Sequence, residues 1–563
     1  MLKYKPLYVL CLSGILLACQ PEAPQAEATE PTPQAQARFE PTWESLASAE
    51  VPEWLKDAKF GVYTHWGLYS FPEFGINTYG ADMYLSPQSD AKRHGIRAHH
   101  EKTYGPIEEF GYKDFLPMFT APAFNADEWV AIMEDAGARY AGIHLVHHDG
   151  YCLWDSEYTA FDSMDTGPKR DIFGEIAGAV RKTDMKLLAT FHHARTYGFG
   201  FQEADQYSPE QRAKLDIFDP ELDYIYRNPE TVSIEEFSNE WHNKINEVID
   251  KYQPDLLWFD GLAKGKKAGI IKDDKLLKTF ADFYNNGTDY TDQPFIFNKL
   301  PASLKWNFPI GVGLRTYENA RDMEQDVRGD WNIDRAIAYP WNYVVGKEYP
   351  HDHHYHITSL IDIVARGGSF LLSLTPRGDG SIPSEEKAIM AGMGQWLRVN
   401  GEAIYDTRPW KIAGEGIGAE EMYNTSTKVT GSGKKRIMAS WDYNLLTESK
   451  GEAIRFTRNG NTLYAIVLGR PVSSEVSIQT LHKGNVEQNG AGIKSVRLVG
   501  SDKDISWTQS DSGLTIQFPE QLPSDIAHSF KIEVHGTLDA SAPAIIDDGI
   551  PRLGDWPIYK TPI

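Results

Sequence analysis

Seven short apolar runs, separated by longer amphipathic stretches, constrain the fold of residues 55–400 more than any other feature of the sequence. The runs are FGVYTHW, YAGIHLVHH, KLLATFHH, DLLWFDG, FIFNKL, GVGLRTYE and FLLSLTP. Most are apolar throughout rather than alternating, which is typical of parallel strands buried on both faces. The repeated order of strand then helix predicts a (β/α)8-like TIM barrel. Because only seven strands are evident, a doubly wound open sheet is the alternative.

Amphipathic segments between these runs predict the helices. In the clearest one, Ser233 and Glu236 form a capping box, and Phe237, Trp241 and Ile245 keep one face apolar. The segments ITSLIDIVARGG and EEKAIMAGMGQWLRVNGEA have the same character. We therefore expect a barrel of alternating strands and helices over residues 41–410.

The sequence changes character after residue 410. Alternating apolar and polar residues, interrupted by Gly, Asn and Ser, form segments such as GEAIRFTRNGNTLYAIVLG and SGLTIQFPE. This pattern predicts an antiparallel β-sandwich over residues 411–563. Structural support of the barrel and carbohydrate binding are both open as its role.

The first forty residues predict export and anchoring rather than folded structure. Lys3 and Lys5 precede the apolar run LYVLCLSGILLA, and LLAC at residues 16–19 resembles a bacterial lipobox. We expect a lipoprotein signal peptide over residues 1–19, lipidation of Cys19, and a flexible tether over residues 20–40, which are rich in Pro, Ala, Gln and Glu. The protein would then be lipid-anchored in a bacterial cell envelope, with Gln20 favouring the outer membrane. An ordinary secretion signal is the alternative.

The formal net charge of -23 argues against nucleic acid as a partner. The 15 Trp and 28 Tyr residues favour carbohydrate instead, because aromatic faces stack on sugar rings. The sequence contains no phosphate-binding glycine-rich loop and no CxxC pair. We expect no cofactor and no metal, and the oligomeric state cannot be read from the sequence.

Polar residues recur where the apolar runs end, which is where barrel enzymes carry their catalytic groups. His65 ends the first run, His147 and His148 the second, and His192 and His193 the third. One histidine in such a place is more often a satisfied core residue. Five histidines at three successive strand ends favour a functional site.

Carboxyl groups at strand ends suggest the chemistry. Strand alternation sends Trp258 and Asp260 to one side of DLLWFDG, so a carboxylate shares a face with an aromatic wall; a turn-capping role for Asp260 is the alternative. A glycosidase needs a second carboxyl group to protonate the leaving oxygen. Glu318 ends a strand whereas Glu324 lies in a charged loop, so Glu318 is the preferred candidate.

Several long motifs resemble one known family. KFGVYTHWGLYS, HHDGYCLWDSEYT with TGPKRDIFGEI, LLWFDG, and ARGGSFLLSLTPRGDGSIP with NGEAIYDTRPW occur in this order and are similar to motifs of glycoside hydrolase family 29, the α-L-fucosidases. The resemblance spans roughly residues 50–410, and FTRNGNTLYAIVLG is similar to the family's β-sandwich.

The resemblance implies a retaining exo-α-L-fucosidase that releases terminal fucosyl residues from glycans or oligosaccharides through a covalent glycosyl-enzyme. Asp260 would be the nucleophile, and Glu318, in TYE, the acid/base, with Glu324 as second choice. The residues implied to bind the sugar are His65, His147, His148, Trp258 and Tyr79. His193 (or His192) is implied less directly, because the family often has an aromatic or polar residue at that place.

Two departures from the family pattern leave alternatives open. Asn77 and Thr78 precede Tyr79 where many members have Glu-Trp, and Asn332 follows Trp331 where Glu is frequent. The enzyme could therefore act on a different fucose-like sugar. A noncatalytic sugar-binding lipoprotein and a metal hydrolase are the other rivals; for the histidine-rich HDHHYH at residues 351–356, a solvated loop is favoured over a metal site.

Overall fold

The structure is a computed structural model. It describes residues 38–262, 265, 269–300, 307–309, 311–320, 329–419, 423–429, 435–441, 443–488, 490 and 492–540, with the backbone alone for 300, 423–429 and 435–441. The predicted signal peptide with Cys19, nearly all of the predicted tether, and Glu324 lie outside these ranges. Across the described segments, no helix has both the length and the hydropathy needed to cross a bilayer.

Eight parallel strands close into a barrel in the order of the chain, β1 to β8. Closure occurs between the first and last strands, where Gly61 pairs with Leu371 and Thr64 with Leu374. The predicted (β/α)8 barrel is confirmed and the open sheet is wrong. The strands are β1 Phe60–Thr64, β2 Tyr140–Val146, β3 Lys186–Phe191, β4 Leu256–Phe259, β5 Phe295–Leu300, β6 Leu314–Glu318, β7 Trp331–Ala336 and β8 Gly368–Leu374.

β7 is the strand that the apolar pattern does not reveal. Its sequence WNIDRA carries Asn332 and Asp334, both fully buried. Asp334 makes an ion pair inside the barrel with Lys299 of β5. Because these inward positions are polar, the strand lacks the continuous apolar run that marks the other seven.

The barrel helices form the outer layer. α6 packs on α7, α10 on α11, α12 on α13, and α13 on α6. Ser233 and Glu236 form the predicted capping box of α10. The α-helices are α1 Trp43–Leu46, α2 Glu53–Ala58, α3 Tyr79–Asp82, α4 Pro87–Asp90, α5 Ile96–Thr103, α6 Ala126–Asp135, α7 Ile172–Val180, α8 Pro209–Arg212, α9 Asp223–Tyr226, α10 Ile234–Tyr252, α11 Asp273–Gly287, α12 His353–Ala365, α13 Ser384–Asn400 and α14 Asn444–Thr447.

The histidine-rich segment 351–356 is the beginning of α12 rather than a loop. Asp352 is the N-cap, and its side chain accepts hydrogen bonds from the backbone N–H groups of His354 and Tyr355. His351 stacks on Tyr355, and His356 is buried. The solvated loop expected here is wrong, because an Asp N-cap starts the helix four residues before ITSLIDIVARGG.

Antiparallel sheets follow the barrel, as predicted. A five-stranded sheet has the order β15-β18-β13-β12-β9, a three-stranded sheet the order β14-β17-β16, and β10 pairs with β11. Phe456 and Phe530 of the first sheet and Ile478 and Ile516 of the second share one core. The strands are β9 Arg408–Gly416, β10 Tyr423–Val429, β11 Lys435–Trp441, β12 Ala453–Asn459, β13 Thr462–Leu468, β14 Glu475–Ile478, β15 Ile493–Leu498, β16 Trp507–Ser510, β17 Gly513–Gln517 and β18 Ala527–Val534.

The other face of the five-stranded sheet packs on the barrel. Tyr464 and Ile466 of β13 belong to the barrel's hydrophobic core. Arg455 of β12 pairs with Asp362 of α12, and both side chains are fully buried. The sandwich is therefore joined to the barrel by a continuous core and a buried ion pair.

Candidate active site

Side chains at the carboxyl ends of the strands meet at one mouth of the barrel. Backbone hydrogen bonds extend the ladders past the strand ends: His65 N–H donates to Leu374, His192 N–H to Val146 and Asp260 N–H to Phe191. The strands therefore hold these residues in fixed directions. This arrangement is the one in which barrel enzymes place catalytic groups.

A cluster of buried histidines forms one side of the mouth. The ring of His192 lies 5.3 Å from that of His65 and 5.0 Å from that of His147, measured between centroids. Burial is the main cause that holds the pKa of each of these three imidazoles well below its usual range. They are therefore neutral at neutral pH, with one donor and one acceptor nitrogen each.

Two of the histidines have their tautomers set by neighbours. His148 Nδ1 lies 2.8 Å from the carbonyl oxygen of His192 and must donate to it, and His148 Nε2 accepts from Arg195 at 3.1 Å. His147 Nε2 accepts from the Asn77 amide at 3.1 Å, which leaves its proton on Nδ1. Among the described residues, His147 Nδ1 has no hydrogen-bond partner, and this nitrogen is buried.

One ammonium group lies between three carboxylates on the other side of the mouth. Lys299 Nζ is 3.4 Å from Asp260 Oδ1, 3.1 Å from Glu318 Oε2 and 3.4 Å from Asp334 Oδ2. Burial alone would raise the pKa of Asp260, but Lys299, and then His148 and Arg195, outweigh it and hold that pKa below its usual range. Asp260 is therefore an anion throughout the physiological pH range.

Two tryptophans line the space beside these charges. Trp258 lies in β4 with its ring 4.7 Å from Lys299 Nζ, and the partly exposed Trp341 lies 5.6 Å from the same atom. Trp341 also lies 4.7 Å from His65. The mouth thus combines carboxylates, neutral imidazoles and aromatic faces, which together suit a sugar ring carrying hydroxyl groups.

The structure brings together most of the residues that the sequence selected. His65, His147, His148, Trp258, Asp260 and Glu318 all lie at the mouth. His193 does not: its ring stacks on Trp241 of α10, 5.9 Å away, and burial lowers its pKa to about 3. Adjacent residues at a strand end point in opposite directions, so His192 faces the site and His193 faces the helix layer.

Tyr79 is also directed away from the mouth. Its hydroxyl contacts His100 Nδ1 at 3.2 Å and its ring packs against Phe115, within the core of the loop that follows β1. The first turn of α3 buries this side chain fully. The residue of this segment that reaches the histidine cluster is Asn77, through His147.

Asn332 lies deeper in the barrel than the catalytic mouth. Its amide donates to Ser369 Oγ at 2.9 Å and to the Tyr140 hydroxyl at 3.3 Å. Among the polar residues of β7, Asp334 is the one that lies beside the strand-end carboxylates. Asn332, which stands where Glu is frequent in the family, therefore changes the interior of the barrel and not the mouth. Asp334, two residues further along β7, supplies an acid closer to the mouth.

Lys299 is among the polar residues that end apolar runs, but the sequence assigned it no role, and it did not point to Asp334, Trp341 or Arg195. Lys299 ends an apolar run, so its position alone was a usable signal. Asp334 lies in the strand that the apolar pattern does not reveal, Trp341 lies in an irregular segment after β7, and Arg195 ends a short 3-10 helix, His193–Arg195, after β3. Their proximity to the site depends on how separate loops meet at the barrel mouth.

Three of the histidines could also hold a metal ion. One nitrogen from each of His65, His147 and His192 lies within 4.8 Å of the others. Neutral imidazoles are suitable zinc ligands. The geometry therefore gives the metal-hydrolase rival a specific set of residues that can be tested.

Comparison with known proteins agrees with this geometry. The sequence model of the family described as α-L-fucosidase matches residues 26–402, and that of the α-L-fucosidase C-terminal domain matches residues 447–533. The tissue α-L-fucosidase of Bos taurus is 26% identical over 88% of this chain and 91% of the bovine protein. The plasma α-L-fucosidase of Homo sapiens is 28% identical over 86% of this chain and 89% of the human protein.

A solved structure shares the architecture. The α-fucosidase of Thermotoga maritima, crystallised in complex with fucose, is 28% identical, covers 88% of this chain and 100% of its own, and superposes with a TM-score of 0.61. Fold, site and relatives together define a glycoside hydrolase. The chain belongs to the α-L-fucosidase family, as its sequence motifs indicated.

Proposed function

We propose that the protein is a retaining exo-α-L-fucosidase in which Asp260 is the nucleophile and Glu318 the acid/base. The observation that carries the proposal is the shared ammonium of Lys299. Because it lies 3.4 Å from an oxygen of Asp260 and 3.1 Å from one of Glu318, those two oxygens are at most about 6.5 Å apart. Carboxyl groups are about 5–5.5 Å apart in retaining glycosidases and about 6.5–9.5 Å apart in inverting ones.

The first step transfers the fucosyl group to the enzyme. A carboxylate oxygen of Asp260 attacks the anomeric carbon while Glu318 gives its proton to the glycosidic oxygen, and the bond to the leaving group breaks. Asp260 becomes an ester and Glu318 an anion. The low pKa of Asp260 keeps the attacking group ionised before the step.

The second step releases fucose. Glu318, now a carboxylate, takes a proton from a water molecule, and the water oxygen attacks the anomeric carbon. The ester bond breaks and Asp260 returns to its anionic form. Two inversions at the same carbon leave the configuration of the sugar unchanged.

The shape of the site supports action on a terminal sugar. Below the mouth, the barrel is filled by buried side chains, including Tyr63, Tyr140 and Phe297. A sugar ring can therefore enter from the mouth alone, beside Trp258 and the histidines. The complex of the Thermotoga maritima relative with fucose supports fucose as the glycone.

Asn77 supports a second candidate glycone, a fucose-like sugar. It stands beside His147 where many relatives carry an acid, so the site could accept a fucose-like sugar with a different substituent. A noncatalytic sugar-binding role is less well supported, because binding alone does not require two carboxyl groups held by one ammonium. Measured activity separates these alternatives.

The deciding experiment is hydrolysis of 4-nitrophenyl α-L-fucoside by the wild type and by Asp260→Ala. We expect wild-type activity and a loss of about a thousandfold or more in the variant, as expected for removal of a covalent nucleophile. Glu247→Gln is the matched control, because Glu247 is a buried carboxylate 3.1 Å from Lys251 on the outer helix α10. Proton NMR of the product should show α-L-fucose forming first.

An inert wild type on this and on natural fucosides, or hydrolysis by Asp260→Ala at the wild-type rate, would contradict the assignment. If β-L-fucose forms first, the retaining mechanism is excluded but the fucosidase activity is not. Activity on a fucose-like glycoside in place of the fucoside would favour the second glycone.

We also propose that the protein is a lipoprotein of the bacterial cell envelope, attached through Cys19. The charged start, the apolar run and LLAC support this location. Metabolic labelling with palmitate should mark the wild type and not Cys19→Ser, and the variant should leave the membrane fraction. Equal labelling of both proteins would refute the assignment.

A further inference from the structure

Besides the two proposed catalytic carboxyl groups, the cluster contains a buried ammonium, Lys299, and a third carboxylate, Asp334, which a mechanism with two carboxyl groups does not by itself require. Asp260 and Glu318 are 19% and 23% exposed, whereas Lys299 is 6% and Asp334 0% exposed. The ammonium therefore lies beneath the reacting groups, and the third carboxylate lies beneath the mouth altogether. Asp334 is too deep to touch a sugar, so its effect must pass through Lys299 or through the field of its charge.

The reaction of the proposed function moves one negative charge across the site. Before the first step Asp260 is an anion and Glu318 is protonated. After it, Asp260 is a neutral ester and Glu318 is the anion. Lys299 Nζ contacts both groups, at 3.4 and 3.1 Å, so it faces the negative charge in either state without moving.

We propose that Lys299 is the counter-ion shared by Asp260 and Glu318 in both steps, and that Asp334 is the positioning residue that holds the ammonium between them. This inference rests on the proposed catalytic pair. Lys299 touches the reacting carboxylates, so it has a catalytic role, whereas Asp334 acts through Lys299.

Strand register places Asp334 for this role. Residues Glu318 and Asp334 are direct partners across β6 and β7, and Asp334 accepts an N–H from Asn319 through its backbone oxygen at 2.7 Å. Its carboxylate lies 3.4 Å from Lys299 Nζ, and it has no hydrogen bond to another described side chain. A carboxylate that is fully buried needs such a partner.

Aromatic rings restrict where the ammonium can go. Trp258 and Trp341 face Lys299 Nζ at 4.7 and 5.6 Å. The face of an aromatic ring attracts a cation, so both contacts stabilise the ammonium in this position. With Asp334 beneath it, the ionised member of the pair Asp260 and Glu318 beside it, and rings on two further sides, the ammonium is held at the centre of the cluster. This preorganisation stabilises a charge that moves between two fixed positions.

The charged surroundings define how the site should titrate. Besides the four groups of the cluster, Tyr63, His65, His148 and Arg195 face it from β1, β2 and β3. Burial, and then the charges of Glu318 and Asp260, raise the pKa of Asp334 to about 7 although Lys299 opposes them. Asp334 therefore takes up a proton at a higher pH than an ordinary aspartate does.

The experiment compares the pH dependence of kcat/KM for an α-L-fucoside in the wild type, Lys299→Gln, Lys299→Arg and Asp334→Asn, with Glu247→Gln as control. The acid limb reports ionisation of Asp260 and the basic limb protonation of Glu318. Loss of the Lys299 charge makes both carboxylates harder to ionise, so both limbs should move to higher pH by about one unit or more. The rate should fall about a hundredfold or more.

Asp334→Asn should produce the opposite shift. It removes a negative charge next to Glu318, which makes Glu318 easier to ionise, so the basic limb should move to lower pH by about one unit. The acid limb should hardly move, because Asp334 is protonated there. Loss of positioning should lower kcat/KM by about tenfold to a hundredfold. Lys299→Arg keeps the charge and should keep both limbs within a few tenths of a unit of the wild type.

Each result decides one part of the inference. Unmoved limbs in Lys299→Gln would exclude Lys299 as the shared counter-ion. An Asp334→Asn profile identical to that of Glu247→Gln would exclude Asp334 as its positioning residue and leave a structural role. A wild type without fucosidase activity would instead overturn the proposed function, and this inference with it.

Discussion

Asn77 donates a hydrogen bond from its amide to Nε2 of His147 across 3.1 Å, and thereby fixes the proton of that histidine on Nδ1. A carboxylate at position 77 could not donate in this way. It would require a proton on His147 Nε2, which reverses the tautomer or charges the ring. The pattern of donors offered to the sugar therefore depends on the residue at position 77.

Asn77→Asp should lower kcat/KM on an α-L-fucoside by about tenfold at neutral pH, the size expected for one lost hydrogen bond to a buried neutral group. Selectivity between the α-L-fucoside and the α-L-galactoside, which adds one hydroxyl at C6, should change as well. The ratio of the two kcat/KM values measures this. Asn77→Ala removes the donor without adding a carboxylate and is the matched control for the effect of charge at this position. Unchanged rates and ratio in Asn77→Asp would show that position 77 does not influence the sugar site.

Glu318→Gln should slow hydrolysis of substrates with poor leaving groups by about 10²–10⁴-fold, because the leaving oxygen is no longer protonated. A 2,4-dinitrophenyl fucoside needs no such proton, so its first step should be slowed far less. Burst kinetics on the two substrates measure the difference. Glu324→Gln is the matched comparison, since Glu324 was the second candidate in the sequence. A greater loss in Glu324→Gln would transfer the acid/base role to that residue.

Prolonged dialysis against a strong chelator should leave fucosidase activity unchanged. His65, His147 and His192 can approach a metal, but in the proposed mechanism they bind hydroxyl groups as neutral rings and no step requires a Lewis acid. Added Zn²⁺ should inhibit by competing with the sugar. Activity and metal content should be measured together before and after dialysis. Activity that is lost on chelation and restored by Zn²⁺ would support the metal hydrolase instead.

Arg455→Ala should destabilise the protein by about 3–5 kcal/mol, the range for removing one partner of a buried ion pair. It leaves the Asp362 carboxylate buried between barrel and sandwich, with Arg366 as the one cationic partner that remains among the described residues. Urea unfolding monitored by tryptophan fluorescence measures the loss. The control Lys182→Ala breaks an exposed pair with Asp127 and should not change the midpoint measurably. Equal stability of both variants would show that the buried pair does not hold the sandwich on the barrel.

Much of the site could be predicted because strand ends are a local feature of the sequence. His65, His147, Asp260 and Glu318 each follow or end an apolar run, and parallel strands in a barrel bring their carboxyl ends to one mouth. The capping box at Ser233 was likewise readable, since a helix N-terminus is satisfied by residues three positions apart.

The errors have a common physical origin. His193 was predicted from its strand end and Tyr79 from the family resemblance, but the direction of a side chain at a strand end or in a short helix depends on the neighbours that pack on it. Trp241 of α10 accommodates His193, and His100 of α5 accommodates Tyr79. For segment 351–356 a solvated loop was predicted, whereas Asp352 caps a helix that begins at His353.

The sequence by itself determined the barrel, the sandwich, the strand ends and the carboxylate beside Trp258, because periodicity and strand alternation are properties of neighbouring residues. Only the tertiary structure decided that Lys299, Asp260, Glu318 and Asp334 form one cluster, since they come from four strands. Lys299 pairs with residues 39 positions before it, Asp260, and 35 positions after it, Asp334. These pairs depend on closure of the barrel and on the register of β6 with β7. Local pattern can place a charge at a strand end, but which charges share a buried space is set by packing.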